Sequence, residues 1–193
     1  ARYGVMPDDV MTGHTADDQA ETVLINLLRG AGAQGLGAMR PGVSRPLLAL
    51  RRSDTHAVCA AAGIATVTDS TNTDPKFQRN RVRNELLPLM TEISLRDPVP
   101  LLVRSADVLR DDNDLLEELA RNLDPTDAVA LAAAPAPLAR RALRQWLSDP
   151  YPPDLATLER IMAVARGETL ACDIGENREI RRSKQRLILQ LLG

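Results

Sequence analysis

The chain has 193 residues, of which 44% are hydrophobic and only 2% aromatic, and a formal net charge of -2 at pH 7. That suffices for one domain of ordinary size plus a smaller one, with a core built from Leu, Val, Ile and Ala. Two isolated cysteines, Cys59 and Cys172, exclude a disulfide framework and a paired-cysteine metal site, and no apolar run of about 18 residues is present to span a membrane.

Two reduced thiols fit a cytoplasmic protein. The acidic balance does not advertise nucleic-acid binding, which favours basic domains, but basic residues are clustered. Lys76, Arg79, Arg81 and Arg83 lie within eight residues that hold no acid, and Arg178, Arg181, Arg182, Lys184 and Arg186 lie together against Glu179 alone. Such patches bind phosphates on a protein that is acidic overall.

In chain order, residues 10–13 read as a short interior strand that enters a helix over 17–29. Thr15 suits the N-cap of that helix, with Asp18 three residues on as the second member of a capping box. Ala20, Val23, Leu24, Leu27 and Leu28 form its apolar stripe, and Gly30 ends it. The glycine-rich stretch 30–42 reads as a mobile loop with one short helical piece. A helix capped by Ser53 runs to Ala62, and β-branched residues 64–68 read as a strand. Asp69 to Pro75 is a polar turn-rich loop, followed by a helix over 79–90 bent near Pro88. Leu102, Leu109, Leu116 and Leu123 recur every seven residues and predict one long amphipathic helix over 99–122. An Ala/Pro-rich link (124–137) leads to helices over 137–148 and 154–166, the second capped by Asp154 and ended by Gly167. Residues 169–192 alternate as three short strands around turns at 175–177 and 183–185.

Three stretches carry residues suited to chemistry. In Gly13-His14-Thr15-Ala16-Asp17-Asp18-Gln19-Ala20-Glu21-Thr22, spacings of three and four put Glu21 on a common face with both aspartates. The helix dipole favours an acid at this end, but three acids beside His14 and Gln19 exceed what it requires. A carboxylate cluster there suits Mg²⁺ or an ammonium group. The second stretch, Arg45-Pro46-Leu47-Leu48, is weak alone. The third runs Asp69-Ser70-Thr71-Asn72-Thr73-Asp74-Pro75 and then Arg79-Asn80-Arg81-Val82-Arg83, whose arginines stay charged and pair bidentately with phosphates. His56 has no companion ligand nearby in sequence and reads as a surface histidine.

Taken in order, these segments resemble the tRNA(Ile)-lysidine synthetases. That family carries His-x-x-Asp-Asp-Gln-x-Glu-Thr, here His14 to Thr22, then Leu-Leu-Arg-Gly with a glycine-rich connection, here Leu27 to Gly37, and Arg-Pro-Leu, here Arg45 to Leu47. It also carries Asp-x-[Ser/Thr]-Asn-x-Asp, Arg-Asn-x-[Ile/Val]-Arg and Leu-Leu-Pro, here Asp69 to Asp74, Arg79 to Arg83 and Leu86 to Pro88. The resemblance is strongest over residues 10–89. It implies an α/β fold: the C-terminal half of a parallel-sheet, Rossmann-like PP-loop ATPase domain in residues 1–95, followed over 96–193 by a mainly helical tRNA-recognition domain with a small antiparallel sheet.

It also implies a ligase that uses ATP and Mg²⁺ to adenylate the wobble cytidine of tRNA(Ile), after which the amine of free lysine displaces AMP to give lysidine. By the same resemblance Asp18, Glu21 and Asp17 handle lysine or the adenylate, with Arg81 as a further catalytic residue. His14, Asp17, Arg79 and Arg83 border the nucleotide, and Asp17 holds the metal. Arg45, Asp69, Asn72, Asp74, Arg181 and Arg182 meet the tRNA. The family includes homodimers. It also carries a Ser-Gly-Gly-x-Asp-Ser loop that grips ATP, and no such run occurs here. The expectation is therefore a chain cut short of that loop and inactive alone. The competing readings are a tRNA cytidine thiolase of the same ATPase class, for which Cys59 and Cys172 are wrongly spaced, and a non-catalytic helical tRNA-binding module using residues 178–186.

Overall fold

The computed structural model describes residues 10–67 and 74–192, and the chain divides into two compact units, Ala1–Asn113 and Asp114–Gly193. Asp69 and Asn72 fall outside the described residues.

In the first unit, α1 (Ala16–Leu28) starts where expected. Thr15 is its N-cap, and the Asp18 carboxylate accepts both the Thr15 backbone N–H and its hydroxyl at 2.8 Å. This fixes the chain's entry into the helix and satisfies a backbone donor that the first turn would leave orphaned. Gly30, at φ +74°, closes the other end in the left-handed region that glycine enters without strain. The stripe of Ala16, Ala20, Leu24 and Ile25 packs with Val82, Leu87 and Val99 into this unit's core.

The glycine-rich stretch contains the short helical piece expected. It holds a one-turn helix, α2 (Ala33–Leu36), and is fastened from two sides. The buried Gln19 amide both donates to Met39 O and accepts from Met39 N at 3.0 Å. The buried Arg110 guanidinium donates to Gly37 O at 2.7 Å and Met39 O at 3.0 Å, and Asn26 donates to Gly35 O at 2.7 Å. Between these anchors Ala38 is held at φ +50°, a conformation a non-glycine residue keeps only where its surroundings impose it.

Helix α3 (Arg52–Ala61) begins one residue before the expected cap, because Asp54 accepts the Arg51 backbone N–H at 2.9 Å and so makes Arg51, not Ser53, the N-cap. The bend expected near Pro88 takes the form of a π-helical turn. Helix α4 (Gln78–Arg81) runs through Val82–Leu86 in wide π geometry into α5 (Leu87–Ser94). An α-helical Pro88 would press its ring on the Asn84 carbonyl and offer it no N–H, and the wider turn relieves that contact.

The strands expected at 10–13 and 64–68 do not form in the described residues 10–13 and 64–67, so the parallel sheet is not seen among the described residues. A strand needs a neighbour with which to exchange backbone hydrogen bonds. Residues 10–13 show a backbone bond from Thr12 N to Ser44 O at 2.8 Å, well short of a ladder.

The division between the units falls inside α6 (Pro98–Ala120), the long helix read from the heptad spacing. In the second unit the link holds a short helix, α7 (Ala128–Ala133), capped by the Asp127 carboxylate, and is followed by α8 (Ala136–Trp146) and α9 (Leu155–Arg166). The Asp154 carboxylate caps α9 through Thr157 N at 2.8 Å, and Gly167 ends it at φ +79°. Strands β1 (Ala171–Gly175), β2 (Arg178–Ser183) and β3 (Arg186–Leu191) form an antiparallel sheet in that order, with Ile180 facing Cys172 and Leu189. Both two-residue hairpin loops, Glu176-Asn177 and Lys184-Gln185, have positive φ at both positions, the backbone whose twist matches the flanking strands. Leu131, Leu143, Ile161, Val164 and Ile180 are fully buried in the core these elements share.

Candidate active site

The N-terminal turns of α1 present Asp17, Asp18 and Glu21, and the structure surrounds them with arginines. Glu21 is 0% exposed, and its carboxylate accepts from Arg83 Nε at 2.7 Å and Arg83 Nη2 at 3.0 Å, a two-pronged pair. Arg52 Nη2 donates to Glu21 Oε1 at 3.1 Å and to Asp18 Oδ1 at 3.1 Å, so one nitrogen bridges two carboxylates. Arg79 Nε lies 3.2 Å from Glu21 Oε2, while its Nη2 donates to the Thr22 hydroxyl at 2.8 Å. Arg51 grips Asp17 through Nε at 3.2 Å and Nη2 at 3.0 Å and also pairs with Asp97, and Arg52 N donates to Asp17 Oδ2 at 2.7 Å.

Each charge has its reason in the fold. Residues three and four apart on α1 share a face, so Asp17, Asp18 and Glu21 converge. Arg79 and Arg83 are likewise four apart and both turn to Glu21, while Arg81 points elsewhere. Four guanidinium groups thus meet four carboxylates: Arg51, Arg52, Arg79 and Arg83 against Asp17, Asp18, Glu21 and Asp97. Burying Glu21 alone would be costly, and complete pairing is what permits it.

Burial alone would raise the Asp17 pKa. The hydrogen bonds from the Arg51 side chain and the Arg52 backbone, with the charges of both arginines, outweigh it and hold the carboxyl below its ordinary value. Asp18 is lowered against the same effect of burial by the Thr15 backbone and hydroxyl and by the charges of Arg52 and Arg79. Arg83 is raised, chiefly by its hydrogen bonds to Glu21.

Of the residues expected from sequence, Asp17, Asp18, Glu21, Arg79 and Arg83 come together. Arg81 does not: its exposed guanidinium forms a pair with Glu85 one turn along (2.9 Å) and lines a separate open cleft of about 560 Å³ with Leu28, Lys76 and Leu86. His14 Nδ1 lies 2.9 Å from the Thr12 hydroxyl, which itself donates to Ser44 O at 3.1 Å. The hydroxyl is therefore the acceptor from His14, and Nδ1 carries the proton. Arg45 lies on the loop ahead of α3, with Nη1 3.5 Å from Arg40 O. Asp74 closes the turn before α4, accepting Lys76 N at 2.9 Å, while its carbonyl accepts from Asn80 Nδ2 at 2.9 Å. Arg181 and Arg182 lie on β2 of the second unit, where Arg182 donates to Ala165 O at 2.7 Å and Arg181 pairs with Glu179 at 3.3 Å.

The metal expected at Asp17 does not fit this arrangement. Both Asp17 oxygens already accept from arginine donors, and no group of three Asp, Glu, His or Cys side chains suited to a metal occurs among the described residues.

Sequence reasoning missed Arg51 and Arg52, which supply half the guanidiniums of the cluster, and the clamp of Gln19 and Arg110. For the first pair the signal was charge balance, since three acids on one buried face demand cations. For Arg110 it was an arginine at a stripe position of α6, between buried Ala106 and buried Asn113.

Residues 6–90 match the family described as PP-loop domain, and residues 127–188 match the TilS substrate binding domain. The first match gives no support to the expectation that the chain is cut within that domain. The chain is 45% identical over 161 residues to the tRNA(Ile)-lysidine synthase of Mycolicibacterium paratuberculosis, covering 76% of this chain and 50% of that protein. It is 40% identical over 174 residues to that of Nocardia farcinica (82% and 55%) and 41% identical over 160 residues to that of Gloeobacter violaceus (75% and 49%). The chain thus spans about half the length of these curated relatives.

Proposed function

We propose that this chain serves the ATP-dependent joining of lysine to the wobble cytidine of tRNA(Ile), forming lysidine. The observation that carries the reading is the pair of matched domains in order, PP-loop then TilS substrate binding, in a chain 40–45% identical to proteins named for this reaction. The PP-loop match also carries the expectation of a parallel sheet.

ATP supplies the adenylyl group that turns the cytidine oxygen into a leaving group, with release of pyrophosphate. The chain's own residues then have three tasks. Asp18 and Glu21, with Asp17 beside them, receive a lysine amine, since a buried carboxylate pair is selective for ammonium. Arg79 and Arg83 hold Glu21 in place, and border the adenylate with His14. Arg45, Asp69, Asn72, Asp74, Arg181 and Arg182 meet the tRNA. Attack requires the reacting amine to be neutral, so the carboxylates orient one amine while the other loses its proton. Mg²⁺ accompanies ATP without a ligand assigned to this chain. Because no Ser-Gly-Gly-x-Asp-Ser run occurs in the sequence, the 193 residues alone are expected not to turn over.

The test is incorporation of labelled lysine by the intact protein with ATP and Mg²⁺, comparing tRNA(Ile) transcripts with cytidine or uridine at the wobble position. Lysine joining only the cytidine transcript, and loss of that joining in Asp18→Ala, are the expected results. Equal labelling of both transcripts, or near-normal turnover by Asp18→Ala, overturns the reading.

A further inference from the structure

Arg52 occupies an unusual position. Its Nη2 stands 3.1 Å from Asp18 Oδ1 and 3.1 Å from Glu21 Oε1, a cationic nitrogen between two carboxylates, one of them fully buried. An alkylammonium nitrogen held by the same two oxygens would occupy the same point, because both donors prefer N–H···O distances near 2.8–3.0 Å.

Arg52 is held differently from Arg83. Arg83 is locked on Glu21 by two parallel bonds, whereas Arg52 spans two acceptors from one nitrogen, and its side chain is 31% exposed. Its backbone is secured independently: N–H donates to Asp17 Oδ2 at 2.7 Å, and the carbonyl accepts from the Thr55 hydroxyl at 2.8 Å. The side chain can therefore leave by rotation about its own bonds without disturbing α3.

Charge counting adds a second argument. With Arg52 in place the cluster is balanced, four guanidiniums to four carboxylates. A further ammonium entering beside Arg52 would bring an uncompensated positive charge. One entering in its place restores the balance.

We propose that Arg52 is a resident surrogate for the substrate ammonium, a specificity-determining residue that lysine must displace from between Asp18 and Glu21. This rests on the reading above, that a lysine amine is bound by those two carboxylates. A guanidinium in that place keeps the buried carboxylates paired when lysine is absent, and it lowers apparent lysine affinity by the fraction of time it occupies the site.

The experiment is equilibrium dialysis of the 193-residue chain with labelled L-lysine, comparing the unaltered chain with Arg52→Gln, Arg52→Lys and Glu21→Gln. Arg52→Gln is expected to bind lysine about fivefold tighter, Arg52→Lys to stay within about twofold of the unaltered chain, and Glu21→Gln to lose binding. Equal or weaker binding by Arg52→Gln, with binding still lost in Glu21→Gln, overturns the surrogate role and leaves the lysine reading intact. Lysine binding by none of the forms overturns both. Should Arg52→Gln fail to fold, nitrogen NMR of arginine Nε–H groups in the unaltered chain decides. On saturation with lysine the Arg52 signal is expected to move to the position of a free, solvent-exposed arginine while that of Arg83 holds. An Arg52 signal that stays fixed as lysine saturates overturns the proposal.

Discussion

Replacing Glu21 by Gln tests whether the cluster is an energetic unit. The substitution keeps shape and removes charge, so Arg83 loses a pair at 2.7 and 3.0 Å, and Arg52 and Arg79 lose contacts at 3.1 and 3.2 Å. Removing one member of a fully buried ion pair costs about 3–5 kcal/mol because the other charge is stranded. Here the stranded side chains are between 25% and 41% exposed and recover some hydration, and Gln keeps one acceptor, which brings the cost to about 2–3 kcal/mol. In a unit of about this size each kcal/mol lowers Tm by about 4–8 °C, so thermal unfolding followed by circular dichroism should fall by about 8–24 °C. Combining Glu21→Gln with Arg83→Met should recover part of the loss, with a coupling of about 1–2 kcal/mol. A fall below about 2 °C, or strict additivity in the double variant, would refute the reasoning.

Acid should act through Asp17 and Asp18. Their folded pKa values lie below the ordinary 3.8, so the unfolded chain binds these protons first as pH falls. The stability they contribute is complete above the unfolded value and is lost as pH drops through the folded one. Urea midpoints should therefore be insensitive to these two groups between about pH 5 and 8 and fall below about pH 4, with a shallower fall in Asp18→Asn. Gln19→Leu strips the buried partner from Met39 N and should cost about 1–3 kcal/mol, with faster exchange of the Met39 amide as the specific readout. Gly167→Ala should cost about 2 kcal/mol in the second unit. It places a Cβ at φ +79° and 2.8 Å from Arg182 Nη1, which must then release Ala165 O, and urea unfolding measures the loss.

The helices were legible because their signals are local. Thr15 with Asp18, Asp154 with Gly167, and the seven-residue leucine spacing each act within a turn or two of the chain, and α1, α9 and α6 stand within one or two residues of their expected bounds. The three strands of the second unit were legible for the same reason, since their loops are two residues long. What failed was non-local. Residues 64–67 have the composition of a strand, but composition does not supply a neighbour to pair with. The anchors of the glycine-rich stretch 30–42 were equally illegible, because they come from Gln19 and from Arg110, which is more than seventy residues away from the carbonyls it holds. In the site, Asp17, Asp18 and Glu21 were recognisable from their spacing on one helix, whereas Arg51 and Arg52 reach them from about thirty residues away.

That last pairing changes how the arginines should be weighed. Read along the sequence, Arg79 and Arg83 are free cations available to phosphate. In the fold both are committed to Glu21, with only Arg79 also reaching Thr22. A network with equal numbers of guanidiniums and carboxylates attracts neither an anion nor a cation by net charge. A charged group that entered it would have to replace a partner already present and match its geometry. Discrimination in such a network falls on shape and donor placement. Arg52 bridges Asp18 and Glu21 from one nitrogen, while the two-pronged Arg83 pair keeps Glu21 in place.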